Sequence, residues 1–224
     1  MKKIAIKKAI LMAGAAMLVL TACRKNNYYI DGGLSSQSAA EMQMTVYDFL
    51  ASRADHQFDS LIKIIDLTNS KTLVNQPNIT FFALNNKAVQ RFQLNFKPDD
   101  RQGARPLDEI GKDTLVKLLG RFIIPNMRIS LEQAVKDGQK YYAAVNGDSL
   151  YIAGKGGGTG VSSSLQTSAY RLEFTHVKIP GTDTVQFVGN MQTHNLITAN
   201  AMVHVMDNRA SFAAGFKQKY FRLP

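Results

Sequence analysis

A chain of 224 residues, 45% hydrophobic and 20% charged, is long enough for one packed core with extensions and too apolar to be disordered as a whole. The formal net charge is +10, but the basic residues are scattered rather than gathered into a stripe, so nucleic acid is not an expected partner. Cys23 is the only cysteine, which excludes a disulfide within the chain and leaves the fold to rest on its core.

The first element is an address. Lys2, Lys3, Lys7 and Lys8 make a basic start, residues 9–20 form an uncharged apolar run, and Leu20-Thr21-Ala22 leads to Cys23. The run is shorter than the roughly 20 residues a membrane-spanning helix needs. A basic, an apolar and a small-residue segment in that order are what a signal peptidase reads. The Leu-Thr-Ala-Cys pattern resembles the lipobox of bacterial lipoproteins, which implies removal of residues 1–22 and lipidation of Cys23. Several acyl chains anchor a protein firmly where one holds it only marginally. The signal contains four lysines and no acid, so the mature chain carries +6. Arg24 gives no sign of inner-membrane retention, and the expected location is the cell envelope, anchored at the outer membrane. Residues 23–42, with Asp31-Gly32-Gly33 and Ser35-Ser36-Gln37-Ser38, read as the lipidated cysteine and a flexible tether.

The folded domain is expected over residues 43–208. Thr45 with Asp48 three residues on is an N-cap pair opening a helix to Arg53. Asp55 is placed to cap a second helix, whose Phe58, Leu61, Ile62 and Ile65 share one face. Residues 79–84 are apolar on both faces, the mark of a central strand. Asn85 or Asn86 then caps a helix containing Ala88, Val89 and Phe92. After a charged loop at 97–106 come a helix over 112–119 and a short strand over 121–124, stopped by Pro125. Ser130 and Gln133 open another helix, which Gly138 closes. From there the pattern turns to strands. Residues 140–145 and 149–153 flank Asn146-Gly147, which predicts a two-residue type I′ hairpin with both residues at positive φ. A glycine and serine loop at 154–164 precedes strand candidates at 169–179, 185–189, 196–198 and 202–206. Helices early and strands late predict an α+β domain, with residues 209–224 as a C-terminal extension.

Three segments, in this order, resemble the fasciclin (FAS1) family: Thr80-Phe81-Phe82-Ala83-Leu84-Asn85-Asn86-Lys87-Ala88-Val89, Leu118-Leu119-Gly120-Arg121-Phe122-Ile123-Ile124-Pro125, and Asn200-Ala201-Met202-Val203-His204-Val205-Met206-Asp207. The resemblance implies a β-wedge of two sheets with several helices packed around it. It also implies structural roles for Thr80, Phe82, Ala83, Asn86, Asn200, His204 and Asp207. Where integrin-binding members have Tyr-His, this chain has Arg121-Phe122, so that activity is not implied here.

Residues with chemical potential are few. His56, His176, His194 and His204 have no metal-binding spacing, although His194 and His204 can meet across a hairpin. His204 lies between two valines on a strand and is expected to be held by backbone hydrogen bonds. The loop starting Gly154-Lys155-Gly156 lacks the serine or threonine and the helix of a phosphate loop, and no nucleophile elbow occurs. Asp99, Asp100, Asp108 and Glu109 read as solvated acids of the charged loop. No catalytic residue, metal or cofactor is expected. Tyr28, Tyr29, Tyr141, Tyr142, Tyr151 and Tyr170 are the aromatic residues suited to ligand contact. Of these Tyr141, Tyr142 and Tyr151 are the leading candidates, and because Tyr141 and Tyr142 are neighbours on one strand, one of them must face outward. The expected function is a membrane-anchored adhesion or protein-interaction module at the cell surface. The alternative is a glycan-binding accessory lipoprotein of an outer-membrane nutrient-uptake system. The partners are accordingly the membrane, through the N-terminal lipid, and a surface protein or glycan. A hydrolase, which requires a concave pocket with perturbed acids or bases, ranks third.

Overall fold

The computed structural model describes residues 37–96, 103–156, 170–177 and 186–213. Cys23, Tyr28, Tyr29, Asp99, Asp100, residues 157–164 of the glycine and serine loop and residues 214–224 of the tail lie outside them. Helices α1 (Ala39–Met42), α2 (Val46–Ala51), α3 (Asp59–Leu67) and α4 (Lys71–Val74) precede strand β1 (Ile79–Ala83). Helix α5 (Asn86–Asn95), a 3-10 turn (Leu107–Glu109) and α6 (Lys112–Gly120) lead to β2 (Ile123–Ile124). Helix α7 (Leu131–Asp137) is followed by β3 (Lys140–Ala143), β4 (Ser149–Lys155), β5 (Arg171–His176), β6 (Phe187–Ile197) and β7 (Ala201–Met206). No helix among the described residues is long and apolar enough to cross a membrane.

The strands hydrogen-bond in the order β2-β1-β7-β6-β5-β4-β3. Only β1 and β7 run parallel, with Phe82 opposite His204. All five residues of β1 are buried, as a run apolar on both faces requires. The wedge has two halves because β6 serves both. Its first residues pair with β5, from His176–Phe187 to Glu173–Asn190, and its later ones pair with β7, from Met191–Met206 to Ile197–Met202. Irregularities between Met191 and Thr193 and between Thr193 and Leu196 lie in the β7-paired half, and such bulges bend a strand. At one corner the outer edges meet, where Val145 N–H donates to Ile123 O at 2.9 Å.

Several sequence expectations change here. The strand candidates at 185–189 and 196–198 fall in one strand, β6, because the stretch between them is itself paired, Asn190 with β5 and then Met191 and Thr193 with β7. The strand expected over 121–124 shortens to Ile123–Ile124, since the N–H groups of Arg121 and Phe122 donate to Leu118 O and Leu119 O and finish the turn of α6. Asp55 does not cap α3. His56 takes a left-handed φ of 54°, Asp55 accepts from Gln57 Nε2 at 2.9 Å, and Ser60 N–H in the first turn of α3 donates to Asn86 Oδ1 at 2.8 Å. Thr45, Asn85 and Ser130 do cap α2, α5 and α7.

The hairpin also departs from the two-residue turn. Of Asn146 and Gly147 only Gly147 has positive φ, at 86°. Gly147 N–H donates to Ala144 O at 2.9 Å and Ala144 N–H to Asp148 O at 2.8 Å, the pattern of a three-residue connection with its glycine in the left-handed position. Asn146 is drawn off by tertiary bonds, donating from Nδ2 to Lys117 O and Asp148 Oδ2.

Both domain ends move outward. Within the tether assigned to 23–42, Ser38 and Glu41 form a capping box on α1, and the Gln37 side chain bonds both backbone groups of Ile197. At the other end Ala210, Phe212 and Ala213 are buried rather than part of an extension. Phe212 joins a continuous aromatic seam: its ring centroid is 5.5 Å from Phe92 and 6.1 Å from Phe122, and Phe174 stands 5.6 Å from Phe122 and 4.8 Å from Phe82.

Helix α7 lies directly on β4. A Cβ added at Gly154 meets Val135 Cγ2 at 2.4 Å and Val135 Cα at 2.7 Å. Because one of those atoms is backbone, the helix must lift to accommodate it. Gly154→Ala is expected to lower unfolding free energy by about 2 kcal/mol in a urea titration. An unchanged midpoint would show that α7 is free to move.

Candidate interaction surface

The signature residues form a hydrogen-bonded frame. Thr80 Oγ1 accepts from Ile129 N–H at 2.8 Å and donates to Met127 O at 2.9 Å. His204 Nε2 lies 2.8 Å from Ile129 O, and its Nδ1 accepts from Asn195 N–H at 3.3 Å. The proton of the neutral ring therefore sits on Nε2, and Thr80 and His204 together satisfy both backbone groups of Ile129. His204 stacks on Phe82 with centroids 5.6 Å apart. Complete burial is the chief cause that pushes its pKa down, to about 4. Asn200 accepts from Val46 N–H and donates to Val74 O and Gln76 O, tying α2 and α4 to the start of β7. Asn86 joins α5 to α3, donating from Nδ2 to His56 O at 2.7 Å while its Oδ1 takes the Ser60 N–H. Asp207 accepts from Arg209 N–H in a tight turn. Ala83 is buried in β1.

His194 and His204 do come together, with ring centroids 6.2 Å apart. His194 Nε2, however, accepts from Leu172 N–H at 3.0 Å, so these nitrogens serve the backbone. Among the described residues no group of three or more His, Cys, Asp or Glu side chains is placed to hold a metal ion.

A second buried assembly was not foreseen from sequence. Arg121 and Asp148 are 2% and 6% exposed, and His176 is as deeply buried. Asp148 Oδ2 lies 2.7 Å from Arg121 Nε, 2.9 Å from His176 Nε2 and 2.9 Å from Asn146 Nδ2. Burial alone would raise the Asp148 pKa. The hydrogen bonds from His176 and Asn146, together with the Arg121 charge, outweigh it and hold the carboxyl below its ordinary value. The only hint in the sequence is an arginine among the apolar residues at the end of α6. Nothing in local spacing pairs it with an aspartate 27 residues on.

The tyrosines divide. Tyr141 is 66% exposed and pairs in register with Tyr151, their rings 5.2 Å apart. Tyr142 points to the other face and is buried in the core, which parts it from the other two. The register continues from Tyr151 to Thr175, which is buried, and from Thr175 to Val188, which is 48% exposed. Residues directly opposite across strands share a face, so Tyr141, Tyr151, Thr175 and Val188 form one row across β3, β4, β5 and β6. At the hairpin end of this row a cleft of about 240 Å³ is lined by Tyr141, Tyr142, Ala143, Gly147, Asp148 and Ser149. A second recess of about 270 Å³ lies between α2 and β6 and holds Glu41, Arg53, Asp55 and Gln57. Its polar groups are bonded to one another, Arg53 to Glu41 at 2.8 Å and Gln57 to Asp55 at 2.9 Å.

No family model matches the chain, and no curated protein matches it. Among solved structures it is similar to a FAS1 domain pair from the insect cell adhesion molecule fasciclin I, with a TM-score of 0.50 at 16% identity over 73% of this chain and 49% of that one. The chain thus spans about half the length of that domain pair. A wedge whose halves share β6, framed by helices from the first half of the chain and matched by that neighbour, is the fasciclin (FAS1) fold.

Proposed function

We propose that the chain is a lipid-anchored, extracytoplasmic interaction module of the cell envelope, held at the outer membrane through Cys23 and acting by adhesion or protein contact rather than catalysis. The observation that carries this reading is the pair of strongly exposed side chains, Tyr141 and Val188, at the two ends of the Tyr141–Tyr151–Thr175–Val188 row, whose Thr175 is itself buried. Exposed apolar and aromatic patches of this kind are used for contact. The buried His204 and Asp148 are bound into structural hydrogen bonds, which favours a non-enzymatic role. The fold of an insect cell adhesion molecule supports the same reading, and the basic, apolar and small-residue segments before Cys23 support the anchor.

Two measurements test it. Cys23→Ser is expected to move the protein out of the membrane fraction of its native envelope, and unchanged fractionation would end the anchor reading. Tyr141→Asp with Val188→Asp is expected to cut cross-linking to surface partners on intact cells several-fold. The same variant should change unfolding free energy by no more than about 0.5 kcal/mol, since both side chains are exposed. Full cross-linking by this variant would remove the row from the interface. A second reading, a glycan-binding accessory lipoprotein of an outer-membrane nutrient-uptake system, is favoured by the paired rings of Tyr141 and Tyr151.

A further inference from the structure

The geometry points to the cleft between Tyr141 and Asp148 as a binding subsite for a neutral saccharide, an inference that rests on the glycan reading above. The first support is a carboxylate fixed in place. Asp148 Oδ2 is ion-paired with Arg121 at 2.7 Å and hydrogen-bonded to His176 and Asn146, each at 2.9 Å. Asp148 lines the cleft. A carboxylate held by two buried partners and the half-buried Asn146 at the wall of a cleft is a preorganised acceptor, and a ligand hydroxyl meets it without the entropy cost of ordering a side chain.

The second support is the platform beside it. Tyr141 is exposed and leans on Tyr151 at 56°, so its ring is steadied while one side stays open to solvent. The C–H face of a sugar ring packs on such a surface. The Ser149 hydroxyl lines the same cleft and both donates and accepts, which matches a polyol rather than a group with donors or acceptors alone.

Charge selects among ligands. The Arg121 guanidinium already compensates Asp148, and the nearby Lys140 is paired with Asp137 at 3.5 Å. A charged ligand finds no uncompensated partner at the cleft and would be desolvated without return. A neutral ligand avoids that penalty. At about 240 Å³ the cleft falls below the roughly 300–1,000 Å³ of pockets that enclose drug-sized ligands. It therefore suits one or two sugar rings of a longer chain, bound weakly.

The chain has eight tyrosines and no tryptophan, so tyrosine emission is not masked by tryptophan and binding is followed from its change on titration. The lipidated protein, in a zwitterionic detergent that carries no sugar, is titrated with a panel of neutral hexasaccharides, an acidic oligosaccharide and an arginine-rich peptide. At least one neutral glycan is expected to bind. Tyr141→Ala should weaken it about tenfold, and Asp148→Asn, checked for an intact unfolding transition, should weaken it by a similar factor. Binding of a neutral glycan that leaves Tyr141→Ala within twofold of wild type overturns the site while leaving the glycan reading intact. Binding of the peptide alone overturns the inference in favour of a protein partner, and binding of the acidic oligosaccharide alone overturns the charge argument. Failure of the whole panel overturns the inference without touching the anchor, which the Cys23→Ser fractionation tests separately.

Discussion

Asp148→Ala is expected to lower the unfolding free energy by about 3–5 kcal/mol in a denaturant titration at pH 7, because removing one partner of a buried ion pair strands the other. Arg121 and His176 would both lose the buried oxygen they share, at 2.7 and 2.9 Å. Replacing Asp148 by Leu together with Arg121 by Met removes the stranded guanidinium as well. That double variant should cost clearly less than the two single changes summed. Additive losses would show that the two side chains do not act as a pair. The assembly also has a pH signature. Its carboxyl is held below the ordinary value of 3.8, so the unfolded chain takes up the proton first as pH falls. The stability Asp148 contributes is whole above that ordinary value and disappears as pH drops through the lower, folded-state value.

The second large effect belongs to His204. Its pKa falls from 6.5 in the open chain to about 4 in the fold, with burial as the leading cause, and the neighbouring His194 pushes in the same direction. The backbone bond to Ile129 and the charge of Glu132 oppose the shift without cancelling it. Between pH 6.5 and 4 the unfolded chain therefore binds a proton that the folded chain refuses. Stability is complete above pH 6.5 and falls across that window by about 3 kcal/mol. Urea midpoints measured from pH 7 to pH 4 should trace this slope. His204→Gln keeps a donor and an acceptor but no titrating ring. It should flatten the slope while starting from a lower value at pH 7. A slope indifferent to this change would place the titrating group elsewhere.

The two assemblies differ in how far they could be read beforehand. His204 sits in a strand between Val203 and Val205, and its alternation with them marked it as a group held by backbone. The structure supplies Ile129 and Asn195 as the holders. Neither is predictable from spacing, because one follows β2 and the other lies at an irregular point of β6. The two-residue turn expected at Asn146-Gly147 would set Tyr151 opposite Tyr142, and the three-residue connection shifts the register by one and sets it opposite Tyr141. That Tyr142 leaves them for the core, and that Thr175 and Val188 extend the row, required the registers of β5 and β6.

The failures share one cause. Asp55 carries the right side chain for a cap, and Asn146-Gly147 the right pair for a tight turn. In each case a distant partner made a better bond: Asn86 reaches α3, and Lys117 and Asp148 draw Asn146 away. Local chemistry proposes such pairings, and tertiary contacts override them at little cost when another donor or acceptor fits.

By itself the sequence determined the elements whose signals are local. These are the periodicity of α3, the N-caps Thr45 and Ser130, the two-faced apolar run of β1, and the order of helices before strands that makes the domain α+β. The tertiary structure alone decided the joining of two half-sheets through β6, the capture of Gln37 and Phe212 at the two ends, and the meeting of Arg121, Asp148 and His176. The reason is range: caps and periodicities act over a few residues of one segment, whereas a buried charge or a shared strand is settled only when segments far apart in the chain compete for the same donors and the same core.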